Sequence, residues 1–354
     1  MSETRAIGKT LFSLTKPRVV VLLQITAMCA ILSHDLIELN TVDRNTFENM
    51  IIVFIGGYLT AGGANCINMW YDRDIDPIMN RTSKRPLSVG DISPDAALIF
   101  GILISILGTI WLVKMANEIA AFWALFSILF YVFIYTIWLK RTSVQNIVIG
   151  GIAGSTPPVI GWCAAEGNLQ ISMNSFQEFI NSIFEIGGYM PWFMFLLIFL
   201  WTPPHFWALA LYRSEEYKKV GVPMLPNVKG KQRTLLEMKV YAMILILLSI
   251  TAPLSYHNIE FWDEINLDIG NSLIILNTMT LSIWYGLTVW KIDITEENDE
   301  NNRMPTASHS FFISLSYLAF MFIALVLSSI GVQGSIISLI LVVILIFRNR
   351  RVVK

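Results

Sequence analysis

Long apolar runs separated by short polar stretches dominate this chain. Nine are clear, at roughly 19–34, 50–71, 95–115, 119–139, 144–164, 190–212, 238–256, 271–290 and 309–330, and a shorter tenth covers roughly 332–347. Most approach the ~20 residues that a helix needs to cross ~30 Å of hydrocarbon. None alternates apolar and polar residues as a barrel strand does, and backbone groups in lipid must be paired internally. The pattern predicts an all-α polytopic membrane protein with nine transmembrane helices and a short tenth C-terminal span.

Basic residues orient these segments. Arg5, Lys9, Lys16 and Arg18 precede the first; others follow the second, fourth (Lys140, Arg141) and sixth, where they crowd 213–239. The alternate loops are nearly bare: 165–189 and 258–270 hold no Lys or Arg, and 35–49 holds only Arg44. The asymmetry predicts a cytoplasmic N-terminus and cytoplasmic loops after segments two, four, six and eight. The basic tail RNRRVVK returns to that side only if the tenth segment spans.

Composition narrows the classes further. The 354 residues are 55% hydrophobic and 14% charged, too apolar for a soluble chain of this length. The net charge of -1 says nothing about partners, because the charges are segregated into loops, and no nucleic-acid partner is expected. Cys29, Cys66 and Cys163 lie in apolar segments without metal-ligand spacing. The N-terminal segment lacks the short apolar core and cleavage site of a signal peptide and reads as retained.

One stretch breaks the apolar regime. NMWYDRDIDPIMNRTSKRPL (68–87) puts seven charges between Asp72 and Arg85, directly after an apolar run. Asn68, Asp72 and Asp76 are four apart, which places them along one helical face, and Pro77 should end the helix near Asp76. Aspartates suit a helix C-terminus poorly, because that end of the dipole is already negative. At bilayer centre each would cost ~2.5–3.5 kcal/mol on insertion scales. Two readings follow. In one, Arg73, Arg81, Lys84 and Arg85 make a solvated charged loop with the acids. In the other, Asn68, Asp72 and Asp76 hold Mg²⁺, a cation typically bound by one or two carboxylates plus substrate phosphates, and the bases take the phosphate oxygens.

The N-x3-D-x3-D motif resembles the aspartate-rich motif of the UbiA superfamily of intramembrane prenyltransferases. The longer string through RTSKRPL resembles its haem-farnesylating family, the haem O synthases. LKRTSVQNIVIGGIAGSTPPVIGW (139–162) and WTPPHFWALALYRSEEYKKVGVPMLPNVKG (201–230) resemble that family's fifth and sixth segments. The resemblance covers roughly residues 10–330. It implies a UbiA-type bundle around a central cavity over 1–331, leaving 332–354 as an extra apolar segment with a basic tail. It also implies a prokaryotic cell-membrane enzyme that transfers farnesyl from farnesyl diphosphate to a haem B vinyl group. Water is added, diphosphate leaves, and the haem O serves haem–copper terminal oxidases. Haem B is then a substrate, Mg²⁺ the cofactor, and a haem A synthase or terminal-oxidase assembly a further implied partner.

Under this reading Asp72 and Asp76, with Asn68, bind the metal, and Arg81, Lys84 and Arg85 stabilise the leaving diphosphate. Lys140 and Arg141 join them or act only as positive-inside anchors. Tyr212 and Glu216 stand where relatives carry a second acidic motif, Glu216 where haem O synthases usually have Asp; Val220 and Asn227 also depart from that loop. His205, isolated within segment six, either ligates or orients haem or bonds a carbonyl freed by Pro203-Pro204. His34, His257 and His309 read as structural. Gly150, Gly151 and Gly154 read as helix-packing positions, and Pro157-Pro158 as a helix break beside a cavity. Competing functions are a UbiA-type transferase for another aromatic acceptor and a non-catalytic haem-binding or transport protein.

Overall fold

The computed structural model describes residues 2–256, 268–300 and 303–352. His257 falls outside them. Twelve principal helices run along the chain: α1 (Ser2–Leu14), α2 (Pro17–His34), α3 (Arg44–Tyr71), α4 (Pro94–Met115), α5 (Glu118–Leu129), α6 (Asn146–Ser155), α7 (Pro157–Glu166), α8 (Met190–Lys219), α9 (Leu225–Ile250), α10 (Ile269–Trp290), α11 (Pro305–Ser328) and α12 (Val332–Val352). No strand occurs among the described residues.

Local sequence sets the starts. Prolines open α2, α4, α7 and α11, where a missing N–H costs no intrahelical bond. Asp43 caps α3, accepting from the Asn45 and Thr46 N–H groups, while the Thr46 hydroxyl accepts from the Asp43 N–H. In α4 the small residues Ala97, Gly101, Ser105 and Gly108 face inward, whereas Ile99, Leu103, Ile106 and Ile110 are exposed where lipid would lie.

Nine stretches among the described residues are long and apolar enough to cross a membrane, and the chain is a multi-pass membrane protein. They include the short tenth segment, within α12, and omit the seventh. The reason is α9: Lys229, Lys231, Arg233 and Glu237 load its first half with charge, and Lys239 follows. Even so, α9 packs between α8 and α10. Beyond Ile250 the seventh segment leaves the α-helix for a 3₁₀ turn, Ala252–Tyr256.

Two further expectations change. The α-helix before the acidic stretch stops at Tyr71, short of the expected Asp76; Asp72 caps it, and two 3₁₀ turns, Asp72–Asp74 and Asp76–Ile78, follow. Tightening the chain here spares three aspartates a place inside the negative end of one helix. Pro203-Pro204 does not break α8, which is helical across both prolines. Trp201, Pro203, Pro204, His205 and Trp207 are all buried there, so packing offsets the lost ladder bonds. The break at Pro157-Pro158 is present, with Thr156 between α6 and α7.

Close packing fixes the bundle. A Cβ on Gly161 would lie 2.3 Å from the Ala27 carbonyl oxygen of α2, whereas one on Gly154 would meet nothing within 4 Å. Overpacking costs about 1–3 kcal/mol. Gly161→Ala should therefore lower the unfolding temperature in detergent, and Gly154→Ala should leave it unchanged; equal melting of the two would contradict this packing. At the same end of the bundle, buried His34 bridges Asp35 (2.7 Å) and Glu166 (2.8 Å), tying α2 to α7.

Candidate functional site

The opposite end gathers the charges. Asn68, on the last turn of α3, donates to Asp72 Oδ2 at 3.0 Å and to the Thr136 hydroxyl at 3.1 Å. Its own amide oxygen accepts from Lys16 Nζ at 2.7 Å. Asp72 is fully buried and pairs through Oδ2 with Lys140; Arg141 lies 3.6 Å from its Oδ1. Asp76 arrives on the second 3₁₀ turn and takes Arg85 Nη1 on Oδ2 at 2.6 Å. The Thr82 hydroxyl donates to the Asp76 carbonyl at 2.8 Å and closes the loop. Each side chain of the motif thus meets a separate base through one oxygen.

Asp74 is excluded from this centre. It is exposed and forms a two-pronged pair with Arg141, both contacts at 2.7 Å. Arg141 also lies over the Tyr71 ring at 4.7 Å. Lys84 is exposed, and Arg81 leans away toward Tyr212 and Glu216. So Arg85 and Lys140 meet the acids, Arg141 spans the edge, Arg81 lines an adjoining pocket, and Lys84 contacts neither acid.

Lys16 is the member that sequence reasoning counted only as an orientation signal. It caps α2 in a left-handed conformation (φ 52°), which turns its side chain back toward Asn68. Burial pushes its ammonium down to about 7, with the like charges of Arg85 and Lys140 adding to the effect and Asp72 and Asp76 opposing it. The only sequence signal was a lysine directly before a helix-opening proline. The π-helical stretch Phe130–Leu139 continues α5 and carries Thr136 and the stacked Tyr131–Tyr135 pair (5.3 Å) to the same end. Gly150 leaves room for the Tyr135 ring, which a Cβ there would meet at 2.4 Å. Gly151 faces Thr202.

The loop after α8 covers the cluster. Val222 and Met224 bury against Ile75, between Asp74 and Asp76, and against Ile147. Asn227 donates to the Ser214 carbonyl at 2.9 Å and Val220 packs at the edge, so both departures from the family loop serve to fold it. Glu216 pairs with Arg213 at 2.8 Å.

His205 lies deeper, buried between the rings of Trp201 (4.2 Å) and Phe311 (4.5 Å), both within 19° of parallel. Its polar partner is Ser314, 2.6 Å from Nδ1, and not a carbonyl freed by the prolines. The Ser314 hydroxyl donates to the Phe311 carbonyl, so it accepts from Nδ1–H and leaves Nε2 with its lone pair.

The fold and the site define an all-α membrane bundle with a cluster of acids and bases under a folded cap at one end. Residues 19–262 match the UbiA prenyltransferase family. A protoheme IX farnesyltransferase of Bartonella tribocorum is 37% identical over 90% of this chain and 90% of its own. A digeranylgeranylglyceryl phosphate synthase structure superposes with a TM-score of 0.64 at 19% identity, covering 93% of this chain and 99% of that one. A UbiA homologue from Archaeoglobus fulgidus bound to GPP and Mg²⁺ superposes at 0.53 and 17% identity, over 90% and 99%. The chain belongs to the UbiA prenyltransferase family. It is a prenyltransferase enzyme.

Proposed function

We propose that the chain transfers a farnesyl group from farnesyl diphosphate to a vinyl group of haem B, giving haem O, at the Asp72–Asp76 cluster. The observation that carries the reading is that cluster, where each of the three motif side chains meets a base within one capped site. The similarity to protoheme IX farnesyltransferases directs the choice of acceptor.

A divalent cation fits these residues. Asp72 Oδ1 is buried without a hydrogen bond, and Asn68, Asp72 and Asp76 supply hard oxygen donors. When bound, such an ion neutralises the diphosphate and favours its departure. The protein's part is an exchange of partners. Lys140 and Arg85 hold the acids and Lys16 holds Asn68 before substrate binds, and the three then turn to the phosphate oxygens as negative charge develops there. The farnesyl C1–O bond breaks and its electron pair leaves with diphosphate. The vinyl π pair forms the new C–C bond to C1, and water adds its oxygen to the adjacent carbon and loses a proton. Buried walls such as Val222, Met224 and Ile75 keep other water from the allylic cation. The basic-loop asymmetry supports a cytoplasmic placement of this end, and the bacterial source of the relatives supports a cell membrane.

His205 Nε2 is suited to ligate haem iron or orient the macrocycle. His205→Ala should shift the absorption spectrum of the haem complex; an unchanged spectrum would remove His205 from the iron. The acceptor assignment is tested by competition. Given farnesyl diphosphate and Mg²⁺, the purified protein should prenylate haem B in preference to 4-hydroxybenzoate, and the reverse preference would overturn it.

A further inference from the structure

Beside the aspartate cluster is a cavity of about 360 Å³. It is lined by Arg81, Arg213, Arg303 and Glu216, with Tyr212 and Phe311 as aromatic walls. Three guanidinium groups therefore face one carboxylate. That carboxylate is already committed, because Glu216 holds Arg213 Nη1 at 2.8 Å. Among the described residues no carboxylate lies within 4 Å of the Arg81 or Arg303 guanidinium. Arg303 instead lies over the Phe312 ring at 6.0 Å, and Arg213 over Tyr212 at 5.8 Å.

This excess of positive charge opposes a cation and favours anionic oxygen. The groups are planar forks, suited to carboxylates taken two bonds at a time, and rings stand beside them. Phe311 also forms one side of the stack around His205, so the cavity wall and the imidazole are adjacent layers. The volume holds the edge of a macrocycle and not the whole of one. Tyr212 and Glu216, the expected second acidic motif, thus line an anion pocket.

We propose that this cavity anchors the two propionate carboxylates of the porphyrin acceptor, through Arg303 and Arg213, with Glu216 positioning Arg213 and not binding a second metal. The inference rests on haem being the acceptor. Arg81, on the loop that carries Asp76, lines the same cavity.

The test compares haem B with its dimethyl ester, which keeps the ring, iron and vinyl groups but lacks the carboxylate charges. Binding and KM are measured for wild type, Arg303→Gln, Arg213→Gln and Arg303→Lys. Wild type should bind haem B about ten- to a hundredfold more tightly than the ester. Each Gln variant should lose most of that preference with the KM for farnesyl diphosphate unchanged, and Arg303→Lys should keep part of it. Equal handling of haem and ester by wild type would overturn the anchor while leaving haem farnesylation standing. So would Gln variants that raise the KM for farnesyl diphosphate and leave haem binding alone. Failure of wild type to modify either haem would instead remove the reading on which the inference rests.

Discussion

Asp72→Asn should reduce Mg²⁺-dependent farnesyl transfer by about 10²–10³-fold, the scale on which one preorganised electrostatic group contributes to a rate. Asp72 is fully buried beside Lys140 and Arg141, so the substitution keeps the shape and removes one negative charge. Two effects of opposite sign follow. The site loses an oxygen donor for the cation, and turnover falls. Its bases lose a competitor, so inorganic diphosphate without metal should bind more tightly than to wild type. Breaking a buried pair from one side can cost about 3–5 kcal/mol of stability. The paired readout separates the causes, since an unfolded variant would bind diphosphate less well. Near wild-type turnover without added metal would eliminate the metal role of Asp72.

Lys16→Met carries the second large effect. The ammonium bonds Asn68 at 2.7 Å in the free protein and lies within electrostatic reach of Asp72 and Asp76. A hydrogen bond to a charged group contributes about 1.5–3 kcal/mol, so its loss from the bound diphosphate should raise the KM for farnesyl diphosphate about 10- to 150-fold. Stability should change little, because removing a charge disfavoured by burial offsets an unpaired Asn68 oxygen. Farnesyl diphosphate kinetics and a thermal melt on the same preparation check both halves. An unchanged KM would place Lys16 outside the diphosphate site.

What the sequence disclosed followed from the range over which each signal acts. The apolar runs are local and long, and they delivered the helical membrane class, including the C-terminal helix from Val332. The Asn68–Asp72–Asp76 spacing is local too, and it located the acids although the α-helix stops at Tyr71 and 3₁₀ turns complete their approach. Lys16 meets Asn68 across 52 positions and Lys140 meets Asp72 across 68, and nothing in local pattern announces such pairings. The inward turn of Lys16 depends on a backbone conformation that its residue type rarely adopts. Charge counting by loop also hid a division within one loop: Arg85 reaches Asp76, while Arg81 lines a neighbouring cavity with Glu216. The helical course of α8 through two prolines reflects tertiary packing, which outweighs the local rule.

The central claim is that the Asp72–Asp76 cluster expels diphosphate from a prenyl donor while the acceptor haem is alkylated. The most direct measurement is a single turnover of the purified protein in lipid with haem B, farnesyl diphosphate and Mg²⁺. Haem is followed by chromatography and mass, and released diphosphate is counted. One diphosphate should be released per haem converted, giving a more hydrophobic haem heavier by one farnesyl group and one hydroxyl. Haem that stays bound and unmodified, with no diphosphate released, would contradict the central claim.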